Sequence, residues 1–331
     1  MKDTINWGII APGRIAHKFA HDLQLVENAR LHAVASRSWQ RANDFAREYH
    51  VPHAFGSYEA LLSCPDLDVV YVASPHSEHC AHALLCLEHG IPVLCEKPLA
   101  MNSAQVRQMI AAAQANDVFF MEAIWTRFIP LFEETKRMVA EGLIGGIQML
   151  RADFGFRAEY PPEHRLFNVE LGGGALLDVG IYPIFFALSF LGKPDEVQAS
   201  AVFGKTGADD SCAMLFKYNN GSLAILDASL QVKTDTEAFL YGEKGTIQLH
   251  SRFHHPEELS VSFYDKPSES MGMKYTGHGY SHEIVEVMEC LKNGKKESEK
   301  LPLSFSLELM EVLDWVRREA GIVYGVDRLP A

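Results

Sequence analysis

Three side chains in this 331-residue chain have the chemistry to move a proton to or from an oxygen. They are Lys97, in Cys95-Glu96-Lys97-Pro98, and Asp178 and Tyr182, in Asp178-Val179-Gly180-Ile181-Tyr182. A free tyrosine ionises near pH ~10, too high for an efficient base at neutral pH. A lysine ammonium nearby favours the phenolate and steadies charge developing on a substrate oxygen. Proline forces its predecessor out of helical geometry, so Lys97 is extended at the end of an apolar run. That is the carboxyl edge where open α/β sheets hold ligands. Asp178 and Tyr182 are four residues apart and share one face of a helix. A charge and a phenol inside so apolar a helix need partners or a function. A structural Tyr–Asp hydrogen bond is the other reading.

A second set of residues suits a phosphate. The first apolar run enters Ala11-Pro12-Gly13-Arg14-Ile15-Ala16, then a helix. This is the GxGxxG position with alanine in the first and third places. Gly13 lets backbone approach a pyrophosphate and Ala16 keeps the helix close to the strand. A tight structural turn would look similar, but first strand, first turn and a following βαβ unit favour nucleotide binding. The second strand ends Ala35-Ser36-Arg37-Ser38, with no Asp or Glu between Glu27 and Asp44 to hold a ribose diol. Arg37, with Ser36, Ser38 and Arg41, suits a 2′-phosphate, favouring NADP with NAD as the alternative. Otherwise Arg37 is solvated surface.

Ser74-Pro75-His76-Ser77-Glu78-His79 follows the next strand at the same edge, placing Ser74, Pro75, His76 and His79 beside the cofactor. His76, His79 and His82 are spaced by threes, but no carboxylate–histidine second shell accompanies them, and no metal is expected. The pairs His17/His21 and His254/His255 read as surface. Met121-Glu122-Ala123-Ile124-Trp125-Thr126-Arg127-Phe128 closes the last parallel strand. Trp125 flanks a nicotinamide or substrate, or belongs to the interdomain core; Arg127 is assigned to the cofactor.

The elements that must position these groups fall into two patterns. Ile5–Ala11, Leu31–Ala35, Asp68–Ala73, Pro92–Cys95 and Val118–Ala123 are apolar on successive residues, as a strand buried on both faces requires. Helical segments lie between them, one ending at Gly90. This is a doubly wound parallel sheet of the Rossmann type over residues 1–124. Beyond residue ~145, strand-like runs follow with little helix between them, and Gly242–Gly245 reads as a hairpin turn. The expectation is a mainly antiparallel, open-faced sheet domain over residues 125–277, followed by helices at Ser281–Asn293 and Ser304–Ala320. Gly172 to Gly192 is apolar enough to raise a membrane span, but its glycines, Pro183 and Asp178 favour a buried helix.

Composition narrows the function classes. Thirty Lys plus Arg against 43 Asp plus Glu give a net charge of −13, which repels nucleic acid and anionic membranes. Six scattered cysteines without CxxC read as reduced thiols. The opening MKDTINWGII has no apolar signal core, so a cytoplasmic enzyme is expected.

Gly8-Ile9-Ile10-Ala11-Pro12-Gly13-Arg14-Ile15-Ala16, Ala35-Ser36-Arg37-Ser38, Glu96-Lys97-Pro98 and the Asp178–Tyr182 helix together resemble the Gfo/Idh/MocA oxidoreductases over nearly the whole chain. Ala11 departs from that family's glycine pattern. Tyr182 stands where many members have histidine. With Ile124-Trp125-Thr126-Arg127-Phe128 it is similar to the dimeric dihydrodiol dehydrogenase and NADP-dependent D-xylose dehydrogenase branch. The resemblance implies a cis Lys97–Pro98 bond, a homodimer through the open sheet face, and part of residues 278–331 packing back on the first domain. It also implies hydride transfer between nicotinamide and a secondary alcohol of a sugar, polyol or trans-dihydrodiol. Tyr182 is then the acid/base and Lys97 its electrostatic partner and substrate anchor, or the reverse, with Asp178 orienting the hydroxyl or the lysine. Glu96 and Lys97 border the cofactor; Trp125, Phe154 and Arg165 wall the substrate pocket. The rivals are a non-catalytic dinucleotide or sugar sensor, which retention of Lys97, Asp178 and Tyr182 argues against, and a metal hydrolase using His76, His79 and His82.

Overall fold

Near-continuous apolar sequence buries a strand on both faces, and that logic builds the first sheet. In the computed structural model, which describes residues 4–159, 161 and 163–328, the chain runs β1 (Ile5–Ile10), α1 (Arg14–Leu23), β2 (Ala29–Ala35) and α2 (Trp39–Tyr49). It continues through β3 (His53–Phe55), α3 (Tyr58–Leu61), β4 (Val69–Val72), α4 (His79–Leu87), β5 (Val93–Glu96), α5 (Ser103–Ala115) and β6 (Phe120–Ala123). The six strands are all parallel, in the order β3-β2-β1-β4-β5-β6. The order reverses between β1 and β4, the switch point at which such sheets bind nucleotides. β3 has three half-buried residues, too few to give an apolar signal in the sequence.

Helix starts follow the side chains available. Ser38, Ser57 and Asn102 cap α2, α3 and α5 by accepting the N–H of Arg41, Ala60 and Gln105. α1 starts at Gly13 with no side-chain cap, leaving its first N–H groups for an outside acceptor.

The chain forms two compact units. The first holds residues 1–128 and 275–307, the second residues 129–274 and 308–331. The second contains α6 (Pro130–Ala140), β7 (Ile147–Gly155), α7 (Ile181–Leu191), and strands β8 (Glu196–Phe203), β9 (Asp209–Lys217), β10 (Leu223–Ser229), β11 (Ala238–Gly242), β12 (Gly245–Leu249), β13 (Glu258–Phe263) and β14 (Lys266–Gly272). The last helices are α8 (Ser281–Lys292), in the first unit, and α9 (Leu303–Ala320), within which the unit boundary falls. The eight strands order β14-β13-β12-β11-β7-β10-β9-β8 and pair antiparallel except for β7 with β10. One face buries Leu150, Ala152, Ala224, Leu226, Leu240 and Ile247. The other leaves Leu223 and Ile225 exposed, with Val202 and Phe203 on the edge strand. The apolar 169–191 segment lies mostly buried.

Candidate functional site

Five carboxyl ends of the first sheet carry the residues singled out by the sequence. After β1, Ala11 adopts φ 62°, the left-handed conformation that the first glycine of the fingerprint would take freely. Its N–H donates to the Ala35 carbonyl at 3.0 Å, and the Gly13 N–H donates to the Ala11 carbonyl at 2.7 Å, so the turn is tight. A Cβ on Gly13 would meet only the Ala11 carbonyl oxygen, at 3.8 Å. The chain's own packing therefore does not require glycine there, and the space left at the uncapped start of α1 would admit the close backbone approach of a ligand. Pro12 and Ile15 are partly exposed and Arg14 is exposed, at the mouth of the turn. The turn fits a dinucleotide pyrophosphate.

At the end of β2, Ser36 is buried and its Oγ accepts the Ser38 N–H at 3.2 Å. Arg37 is exposed, and among the described residues no carboxylate pairs with it. Its charge lies close to Tyr58 and His82. Burial pushes the Tyr58 phenol up, with Arg37 opposing that shift. Burial pushes His82 down, opposed by Glu78 and reinforced by Arg37. The two rings meet edge to face at 4.4 Å, and His82 Nδ1 lies 2.9 Å from Ser74 Oγ.

After β4, Ser74 and His76 are buried and Pro75 is partly exposed. His79 is fully buried, with Nδ1 2.8 Å from the Pro98 carbonyl and Nε2 2.9 Å from the Ser74 carbonyl. Burial holds its pKa down at about 4, so the ring is neutral and carries one N–H, which donates to one of these carbonyls at a time. His79 thus ties the exit of β4 to the turn after β5, behind the surface a cofactor would touch.

That turn carries Lys97, partly exposed, and the Lys97–Pro98 bond is cis. The Lys97 N–H donates to Glu96 Oε2 at 3.2 Å, and the buried Tyr71 hydroxyl donates to Glu96 Oε1. Behind the turn Glu122, on β6, accepts the Leu99 N–H at 2.9 Å. Burial lifts the Glu122 pKa to about 7, against the pull of Ser306, Leu99 and the Lys97 charge.

Beyond β6, Trp125 stacks on Tyr280 at 4.6 Å between centroids and 8° between planes. The segment carrying Tyr280 is clamped to α1: buried Asp22 accepts the N–H groups of His278 and Tyr280. Arg127 is buried, its Nε donating to the Lys300 carbonyl at 2.7 Å near the Glu286 charge.

In the second unit the Asp178 segment differs from the α-helix the spacing predicts. Leu176–Gly180 forms a π-helical turn that becomes α-helical at Ile181. Such turns widen the helix by one residue per repeat and recur at functional sites. Asp209 steadies its start, Oδ2 accepting the Leu176 N–H at 2.7 Å. A Cβ on Gly180 would lie 3.2 Å from Ala228 Cβ, so glycine lets the turn sit close on β10. Asp178 is buried and accepts from Arg165 Nη1 at 2.9 Å. Arg165 is held by close backbone packing, since a Cβ on Gly173 would lie 2.5 Å from its carbonyl oxygen.

Tyr182 is buried, its ring 5.6 Å from Phe154 and 5.0 Å from His254. Phe154 and His254 stack at 4.3 Å. The expectation that His254 lies on the surface is therefore wrong, because these two aromatic rings cover it. The structure thus gathers Asp178 with Arg165, and Tyr182 with Phe154. Sequence reasoning missed Tyr58, Tyr280 and His254, whose partners lie far off in the chain.

The comparisons agree with this architecture. Residues 5–124 match the oxidoreductase family with an NAD-binding Rossmann fold, and residues 132–248 match the Gfo/Idh/MocA C-terminal domain. The chain is 37% identical to trans-1,2-dihydrobenzene-1,2-diol dehydrogenase of Danio rerio and 36% to that of Homo sapiens. Each match covers 98% of this chain and 99% of the relative. Among solved structures, a 3-ketoreductase from Actinomadura kijaniata in complex with NADP and TDP-benzene superposes with a TM-score of 0.87 at 26% identity, over 96% of this chain and 98% of that one. An aldose-aldose oxidoreductase from Caulobacter crescentus, 22% identical, shares the fold with a TM-score of 0.88 over the same shares of the two chains. Dinucleotide turn, Glu-Lys-Pro strand end and second-unit sheet are thus parts of one known pattern, and the chain belongs to the Gfo/Idh/MocA family of NAD(P)-binding oxidoreductases.

Proposed function

We propose that this oxidoreductase uses NADP to oxidise a secondary alcohol carbon of a sugar, polyol or cyclic trans-diol, reversibly. The observation that carries the reading is Lys97. Its backbone is fixed by Glu96 and, through Pro98, by the His79 tie, and this partly exposed lysine stands at the carboxyl edge of the parallel sheet. The nicotinamide of a bound dinucleotide supplies the acceptor for the carbinol hydrogen. Tyr182 is assigned to take the hydroxyl proton, and the Lys97 ammonium to stabilise charge on the substrate oxygen. Asp178, held by Arg165, orients the hydroxyl. The Phe154–Tyr182–His254 cluster offers aromatic surface to a ring-shaped substrate. The trans-diol in the names of the dehydrogenase relatives supports the substrate class.

Arg37 supports NADP over NAD. It is an exposed guanidinium unpaired with any carboxylate among the described residues, at the strand end where an acid would hold a ribose diol. The solved ketoreductase relative is itself bound to NADP. The exposed apolar side chains Leu223, Ile225, Val202 and Phe203 support a homodimer through the open sheet, which a light-scattering mass of one chain would refute.

The test is to screen aldoses, polyols and trans-diols with NADP, following NADPH absorbance, in wild type and Lys97→Met. Turnover of at least one substrate in wild type, a loss of about a hundredfold or more in kcat in the variant, and largely intact NADPH binding are expected. Near-wild-type turnover in the variant would remove Lys97 from the chemistry. Dinucleotide binding with no turnover on any substrate would make the protein a sensor.

A further inference from the structure

We propose that His32, His53 and Cys64 form a zinc site on the first unit, independent of the oxidoreductase reading. One nitrogen from each imidazole and the Cys64 sulfur all lie within 4.8 Å of one another. The three come from separate segments: His32 from the middle of β2, His53 from the first residue of β3, and Cys64 from the loop that enters β4. In a parallel sheet, the start of β3 and the entry to β4 belong to the amino-terminal edge. The dinucleotide residues stand at the opposite, carboxyl edge, so this cluster is no part of that site.

Hydrogen bonding selects the atom His32 would offer. Its Nε2 lies 3.0 Å from the Pro65 carbonyl oxygen, which can only accept, so Nε2 carries the proton of the neutral ring. Nδ1 therefore presents a lone pair. It is buried without a hydrogen-bond partner among the described residues, on a side chain 7% exposed. An acceptor left bare inside a protein is destabilising unless something fills it. An N–H to carbonyl bond on one imidazole nitrogen, with a lone pair left on the other, is the arrangement that fixes the tautomer of a metal-bound histidine.

The other two groups complete a suitable donor set. The His53 ring stands edge-on to His32 at 4.7 Å, and among the described residues its only other ring partner is Phe55. Cys64 is buried with Sγ 3.7 Å from the Pro65 carbonyl oxygen, and the Asp66 carboxylate adds negative charge beside it. Two imidazole nitrogens and one thiolate suit tetrahedral Zn2+, with water in the fourth position. Binding forms one Zn–S and two Zn–N bonds and releases the Cys64 thiol proton to solvent. A second cluster, His21, Asp22 and His278, lacks this character. Its Asp22 oxygens already accept backbone N–H groups, and both histidines are exposed.

Zinc at this site would pin β2, β3 and the β4 entry loop together, and binding to the folded state alone raises stability. The test uses the full chain stripped with chelator, then titrated with Zn2+ by calorimetry and with Co2+ by absorption. One equivalent of tight Zn2+, a cobalt–thiolate charge-transfer band and a higher melting temperature with Zn2+ are expected. The band and the tight equivalent should be lost in Cys64→Ser and in His53→Gln, the latter a partly exposed edge position that leaves the core intact. Absence of the band in wild type, or its persistence in folded His53→Gln, would overturn the site.

Discussion

Glu122→Gln isolates the buried carboxyl behind the Lys97 turn. In the folded chain burial lifts the Glu122 pKa from 4.5 to about 7. The unfolded chain releases this proton near the ordinary value while the folded chain still holds it. The folded state therefore binds more protons across that window, and stability falls as pH rises from ~4.5 to ~7. Below the window both states are protonated and the contribution is flat; above it both are ionised and the penalty is complete. At about 1.4 kcal/mol per pH unit of pKa difference, the full penalty is about 3 kcal/mol. Glutamine keeps an oxygen for the Leu99 N–H and has no proton to lose. Relative to wild type, Glu122→Gln should thus gain about 3 kcal/mol between pH ~4.5 and ~8. Hydrogen exchange of the β5 and β6 amides under mild denaturant reads this locally, without mixing in the second unit. Wild-type and variant stabilities that run parallel across the range, within about 1 kcal/mol, would show that the carboxyl ionises normally in the fold.

Two further substitutions test the dinucleotide edge. Arg37→Ala removes a charged donor suited to a 2′-phosphate and should weaken NADP by about tenfold to a hundredfold while NAD changes little; equal losses in a fluorescence titration would dismiss that role. Ala11→Gly relieves a left-handed alanine, which costs about 1–2 kcal/mol, against a greater unfolded-chain freedom of about 0.5–1 kcal/mol. It should raise the melting temperature by up to about 3 °C, and a lower value would contradict the assignment.

How far the sequence could be read depended on whether the signal was local. β1, β2, β4, β5 and β6 are buried runs, each announced by its own residues, and Lys97 before Pro98 could be placed at a strand end from two letters. β14, a polar edge strand, and β3 carry no apolar pattern and escaped notice. The π turn escaped as well, because Asp178 and Tyr182 keep the same spacing whichever helix type lies between them. Partners from distant segments were the hardest. Tyr280 reaches Trp125, and His254 reaches Phe154, across about a hundred residues or more of sequence, and only the folded chain brings those rings together.

The clamp of Asp22 on residues 278–280 bears on synthesis. The first unit is delivered by the ribosome in two instalments, since its last segment follows the whole of residues 129–274. Until then the Phe120 amide on β6 lacks the Lys296 carbonyl that accepts it, Trp125 lacks its stacking ring, and the Asp22 carboxylate has no amides to hold. At roughly 5–20 residues per second the nascent N-terminal half waits on the order of ten seconds with that border open. The intervening residues 129–274 are therefore all synthesised before their older neighbour can finish, and through that interval the β6 edge keeps unpaired backbone groups.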